Sequence, residues 1–126
     1  MAQAISQQYS TEPDVVRLFA RGTGASTSNL TSVKGKGITS IVRTGTGAHT
    51  ITLTDKWNGF LMLSAAVIST ATADDYEVTV TEELVATSKT VKIVIFKGGT
   101  AADLQTTDKL LLEIVVSRTA QKPAGF

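Results

Sequence analysis

Tyr76-Glu77-Val78-Thr79-Val80-Thr81 is the clearest alternation in the chain. Period two puts Tyr76, Val78 and Val80 on one face and Glu77, Thr79 and Thr81 on the other, which predicts a strand with one wet side. Thr50-Ile51-Thr52-Leu53-Thr54 repeats the pattern, and Ile38-Thr39-Ser40-Ile41-Val42-Arg43 gives a looser version. All three suit antiparallel pairing. Val91-Lys92-Ile93-Val94-Ile95-Phe96 and Leu110-Leu111-Leu112-Glu113-Ile114-Val115-Val116 are apolar on nearly both faces, as central strands are. The run from Phe60 to Ile68 is long enough for a strand or two turns of helix. Gly59 before it and Ser-Thr-Ala-Thr-Ala after it favour strand. Ala101 to Asp108 has room for one helical turn and no more.

Gly22-Thr23-Gly24, Lys34-Gly35-Lys36-Gly37, Gly45-Thr46-Gly47, Asn58-Gly59 and Gly98-Gly99 read as turns between these strands. Short strands punctuated this often predict an all-β fold, a compact antiparallel β-sandwich or β-barrel-like domain. Threonine, about one residue in six, agrees, because β-branched side chains favour pleated, half-buried surfaces.

The ends differ from the middle. Residues 1–13 hold only Ile5 and Tyr9 as sizeable apolar groups, and Pro13 discourages helix just before it. Fixing each of those backbones costs about 1–2 kcal/mol, more in total than burying two side chains returns. The expectation is an extended N-terminal arm (1–13), an all-β domain (14–118) and a polar C-terminal tail (119–126) that ends in Phe126. Such arms dangle or are ordered by a neighbour, which makes Ile5, Tyr9, Pro13 and Phe126 candidate partner contacts. Trp57 is the fifth: at a strand end an indole caps the core or anchors an interface.

Charge narrows the functional classes. Twelve Lys and Arg against eleven Asp and Glu leave +1, too little for a protein that tracks phosphates, so no direct nucleic-acid contact is expected. No segment approaches eighteen apolar residues and the start lacks a basic and then apolar leader pattern, so neither a membrane partner nor export is expected. No cysteine is present to form a disulfide, a thiolate nucleophile or a metal ligand. The distribution is uneven: residues 1–50 carry five basic and two acidic groups, residues 51–100 four and six. Two oppositely biased surfaces would steer head-to-tail contacts between copies, and ordinary scatter of charge explains the bias almost as well.

Catalytic machinery is sparse. His49 is the only histidine, follows Gly47-Ala48, and reads as a turn or surface residue. The pairs Asp74-Asp75 and Glu82-Glu83 bracket one strand. They admit a calcium site or a carboxylate-based glycosidase, but adjacent acids point to opposite sides of a strand or sit solvated in loops. Both Gly-Thr-Gly segments lack the P-loop ending and the dinucleotide spacing, and read as hairpin turns. Lys34-Gly35-Lys36-Gly37 reads as a solvated, mobile basic loop. No Gly-x-Ser-x-Gly elbow is present. The expectation is therefore no enzyme, no cofactor and no metal.

Three stretches, Ile41-Val42-Arg43-Thr44-Gly45-Thr46-Gly47-Ala48-His49-Thr50-Ile51-Thr52-Leu53-Thr54-Asp55, Phe60-Leu61-Met62-Leu63 and Asp75-Tyr76-Glu77-Val78-Thr79-Val80, are followed by Thr107-Asp108-Lys109-Leu110-Leu111-Leu112-Glu113-Ile114-Val115-Val116-Ser117-Arg118. In these residues, over most of 38–118, the chain resembles head decoration, or capsid cement, proteins of tailed bacteriophages. The resemblance implies a non-enzymatic β-domain made in the host cytoplasm and placed on the outer surface of the virion capsid. It implies a homo-oligomer, a trimer, that bridges neighbouring major capsid protein subunits. The competing expectation is a phage tail, connector or spike component with receptor- or carbohydrate-binding loops.

Overall fold

A computed structural model describes residues 15–69 and 75–118, and within them every regular element is a strand. The strands are β1 (Val15–Thr23), β2 (Thr31–Lys36), β3 (Ile38–Gly45), β4 (Ala48–Leu53), β5 (Gly59–Ile68), β6 (Tyr76–Leu84), β7 (Thr90–Lys97), β8 (Thr100–Ala101) and β9 (Lys109–Ser117). They form two antiparallel sheets. Sheet A has the order β2-β1-β9-β5; sheet B has the order β3-β4-β7-β6, with the short β8 paired to β7. The sheets lie face to face, β5 against β6 and β2 against β3, so the architecture is a β-sandwich rather than a closed barrel.

Both strands read as apolar on two faces are central: β7 lies between β4 and β6, and β9 between β1 and β5. The run from Phe60 to Ile68 is strand over its whole length, paired to β9 from Phe60↔Val116 to Ile68↔Lys109. Inward side chains interdigitate as one core. Sheet B contributes Ile51, Leu53, Val91, Ile93 and Ile95, and sheet A contributes Leu18, Leu110, Leu112, Ile114 and Val116. Each follows period two along its strand.

Three expectations fail. Gly22-Thr23-Gly24 is not a hairpin turn: Gly22 and Thr23 belong to β1, paired to Leu110 and Lys109. Gly24 packs so closely on the backbone of Leu104 that a Cβ there would stand 2.8 Å from that residue's carbonyl carbon. Lys34-Gly35-Lys36 is the edge strand β2, paired to Arg21, Ala20 and Phe19, and only Gly37, at φ +81°, makes the turn. An edge strand needs little burial of its own because its neighbour supplies the ladder; all six residues of β2 are exposed. Ala101 to Asp108 forms no helix. Ala101 ends β8, and the rest is a loop stitched by Ala102 N–H to the Ile95 carbonyl (3.0 Å) and Asp108 N–H to the Gln105 carbonyl (2.9 Å).

The strands share one axis, so the sandwich has two poles. One gathers the β3–β4 and β7–β8 hairpins, Leu104 and the start of β9. The other gathers Trp57, Val85 and the pair Val15↔Ser117. At this second pole the Asn58 N–H donates to the Ser117 carbonyl (3.0 Å), and Asn58 Nδ2 donates to the Arg118 carbonyl (2.6 Å). Val15 and Ser117 therefore lie side by side at this pole.

Candidate interaction surface

Several residues singled out by sequence find their places in this fold. His49 is not a surface residue. It is 2% exposed, because it shares the inward face of β4 with Ile51 and Leu53. Its Nδ1 faces the Gly47 carbonyl oxygen at 3.3 Å. Glu82 and Glu83 lie within β6 rather than beyond it: Glu82 pairs with Lys92 across the sheet at 3.4 Å, and the Glu83 carboxylate accepts the Val85 N–H at 3.3 Å. Asp75 is exposed just before β6. Asp74 lies outside the described residues, as do Ile5, Tyr9, Pro13 and Phe126. Trp57 is half-buried and packs on the core, and its backbone N–H donates to the Val85 carbonyl at 3.0 Å. Its buried Nε1 has no acceptor among the described residues.

Two carboxylates that carry no motif in the sequence organise the first pole. Asp103 takes a two-pronged grip from Arg43, Nε to Oδ1 and Nη2 to Oδ2, both at 2.9 Å, and its Oδ1 also accepts the Gly47 N–H at 2.9 Å. Asp108, 2% exposed, accepts the Tyr76 hydroxyl at 2.9 Å and the Gln105 N–H at 3.0 Å through Oδ2. Both tie the loop before β9 to sheet B, with the hydrogen bonding that burial of a carboxylate demands. Among the described residues no three His, Cys, Asp or Glu side chains gather as metal ligands.

The Arg43 guanidinium, donating to both oxygens, holds the Asp103 carboxyl below its ordinary 3.8, helped by the Gly47 N–H and opposed by burial. Asp103 in turn raises Arg43. Burial pushes the His49 imidazole below its ordinary 6.5. The folded-state values of Asp103 and His49 are both depressed, so the unfolded chain binds more protons and stability falls as pH drops. The loss is expected to begin below 6.5 through His49, and to deepen below 3.8 through Asp103. Calorimetric melting across that range, with His49→Asn expected to flatten the first step and leave the second, checks it. An unchanged slope in His49→Asn contradicts a buried neutral imidazole.

The two outer faces differ. Sheet B turns Thr50, Thr52, Thr79, Glu77 and Lys92 to solvent, the wet side its alternation predicts. Sheet A turns Phe19, Met62, Ile68 and Leu111 outward, with Phe19 49%, Met62 48% and Ile68 51% exposed. A shallow concavity of about 510 Å³ opens on this face between Phe19, Lys34, Ser64, Ala66 and Leu111. Its one acid, Glu113, is engaged by Arg17 at 3.6 Å. Across this face the register sets Phe19 beside Glu113, Leu111 beside Arg21 and Ile68 beside Lys109, so apolar and charged side chains are interspersed. Comparison of the chain with protein families, with curated proteins and with solved structures returns no match in any of the three.

Proposed function

We propose that this chain is a non-enzymatic decoration, or cement, protein of a tailed-phage head. It binds the outer surface of the capsid as a homotrimer and reinforces contacts between major capsid protein subunits. Beside the resemblance over residues 38–118, one observation carries the reading: Val15 and Ser117 are register partners, so both polar extensions leave from a single pole next to Trp57. A clip needs that arrangement, with a stiff sandwich standing clear and extended segments reaching from its base to gather contacts from several subunits. Ile5, Tyr9, Pro13 and Phe126 supply the apolar contacts of those segments.

The test compares DNA retention, under heat or chelation, in heads with the full protein, with residues 1–13 deleted, and without the protein. Heads with the deleted form are expected to lose DNA as readily as undecorated heads, while the deleted protein melts at the full-length temperature. Equal retention in all three samples rejects the cement role.

A further inference from the structure

The net charge of +1, which speaks against phosphate binding for the chain as a whole, is the sum of two unlike faces. Residues paired in register point to the same side of a sheet. The register puts Arg17, Arg21, Lys34, Lys36 and Lys109 on the outer face of sheet A with one acid, Glu113. The outer face of sheet B carries Lys92 against Glu77 and Glu82. Five bases less one acid leave sheet A with four positive charges in excess on a single outward face.

These cations gather around one ring. Phe19, half-exposed, lies between Arg17 and Arg21 on β1, directly opposite Lys36 on β2 and diagonal to Lys34. Arg17 and Arg21 stand about 13 Å apart along the strand, and β2 runs about 5 Å to one side. Toward the other edge the outward residues are small: Ser64 sits opposite Glu113 and Ala66 opposite Leu111. The step down from bulky β1 and β2 to small β5 makes the concavity of about 510 Å³, with Phe19, Arg21 and Lys34 along one wall. Glu113, which would repel an anion there, is held by Arg17 at 3.6 Å.

An exposed aromatic ring beside a basic hollow is the arrangement that binds single-stranded nucleic acid without regard to sequence: the ring stacks on a base while cations neutralise the neighbouring phosphates. A duplex keeps its base faces inside the stack and offers the ring nothing. A carboxylate-rich protein would match the cations but has no flat group to lay on the ring. We infer that the outer face of sheet A binds single-stranded nucleic acid, with one base in the hollow against Phe19 and the adjoining phosphates on Arg21, Lys34 and Lys36. Arg17 serves as the positioning residue that keeps Glu113 from the strand. This activity goes beyond the cement role and does not depend on it.

Fluorescence anisotropy of a labelled oligothymidylate of about twelve nucleotides, titrated with the full chain, tests the assignment. Wild type is expected to bind, and neutralisation of about four phosphates predicts about a fiftyfold loss of affinity between roughly 50 and 200 mM salt. Lys34→Glu/Lys36→Glu is expected to weaken binding by at least about tenfold, and the milder Arg21→Gln by about fivefold. Phe19→Ser is expected to weaken it by about tenfold through lost stacking. Lys92→Gln, on the other outer face, is expected to bind as wild type does. Melting curves establish that each variant is folded. No binding at about 50 mM salt overturns the inference, and so does wild-type affinity in Phe19→Ser or in both basic-face variants. Displacement of the oligonucleotide by polyglutamate as effectively as by unlabelled oligothymidylate also overturns it, in favour of an acidic protein partner.

Discussion

Replacing Gly47 by alanine is expected to destabilise the domain by about 3 kcal/mol or more, the sum of left-handed strain and steric overlap. Gly47 has φ +69°, and a Cβ there would stand 2.5 Å from the Ile95 carbonyl oxygen and 2.9 Å from both the nitrogen and the oxygen of Ala102. Those atoms are backbone and cannot swing aside. The same glycine gives its N–H to Asp103, and its carbonyl accepts the Ile95 N–H at 2.8 Å, so any shift disturbs the clasp that joins three segments. At Gly98, φ +59°, a Cβ would meet nothing within 4 Å, so Gly98→Ala isolates the strain alone. It is expected to cost about 1–2 kcal/mol. Urea unfolding of the two variants measures the difference, and near-equal midpoints would mean that the first pole yields easily.

Ile114→Ala is expected to cost about 3–4 kcal/mol, within the range for deleting a buried isoleucine's outer carbons. Ile114 is fully buried at the centre of sheet A, opposite Leu18 on β1 and Leu63 on β5. With neighbours on both sides fixed in register, collapse around the void is restricted. Phe19→Ser, one strand away but facing outward, is expected to change the folding free energy of the isolated domain by no more than about 0.5 kcal/mol. If Phe19→Ser proves as damaging as Ile114→Ala under monomeric conditions, the outer face of sheet A is supporting the fold and is no docking surface.

Strands β3, β4, β6, β7 and β9 are legible in the sequence because each carries its own burial signal, alternating where one face is wet and continuous where both are covered. β1 and β2 are not. β1 turns Phe19 outward between Arg17 and Arg21 and runs on through Gly22, so its apolar residues do not stand out as one face. β2 has Val33 as its only sizeable apolar residue and exists because β1 offers a ladder. His49 reads as a surface residue only when its type and its turn neighbours outweigh its position. Its spacing from Ile51 and Leu53 is two, and that period alone places it inward. Asp103 and Asp108 leave no local signature, since their partners Arg43 and Tyr76 are 60 and 32 residues away. The charge bias between the two halves is visible in the chain. Only the register shows that Arg17, Arg21, Lys34 and Lys36 share the outer face of sheet A, while Glu77 and Glu82 stand on the outer face of sheet B.

The position of β9 bears on synthesis. Sheet B has all four strands of its main path once Lys97 has been made, since β3, β4, β6 and β7 end there. Sheet A has its middle missing until the last strand arrives: β1 and β5 are neighbours only through β9. During vectorial translation the β1–β2 hairpin and the bare β5 edge wait on the ribosome with their inward residues uncovered, a window in which nascent chains are prone to mispair. Pairing of Lys109–Ser117 with both β1 and β5 completes the sheet, so a chain truncated before Lys109 is expected to lack the centre of sheet A and to leave the inward side chains of sheet B without cover.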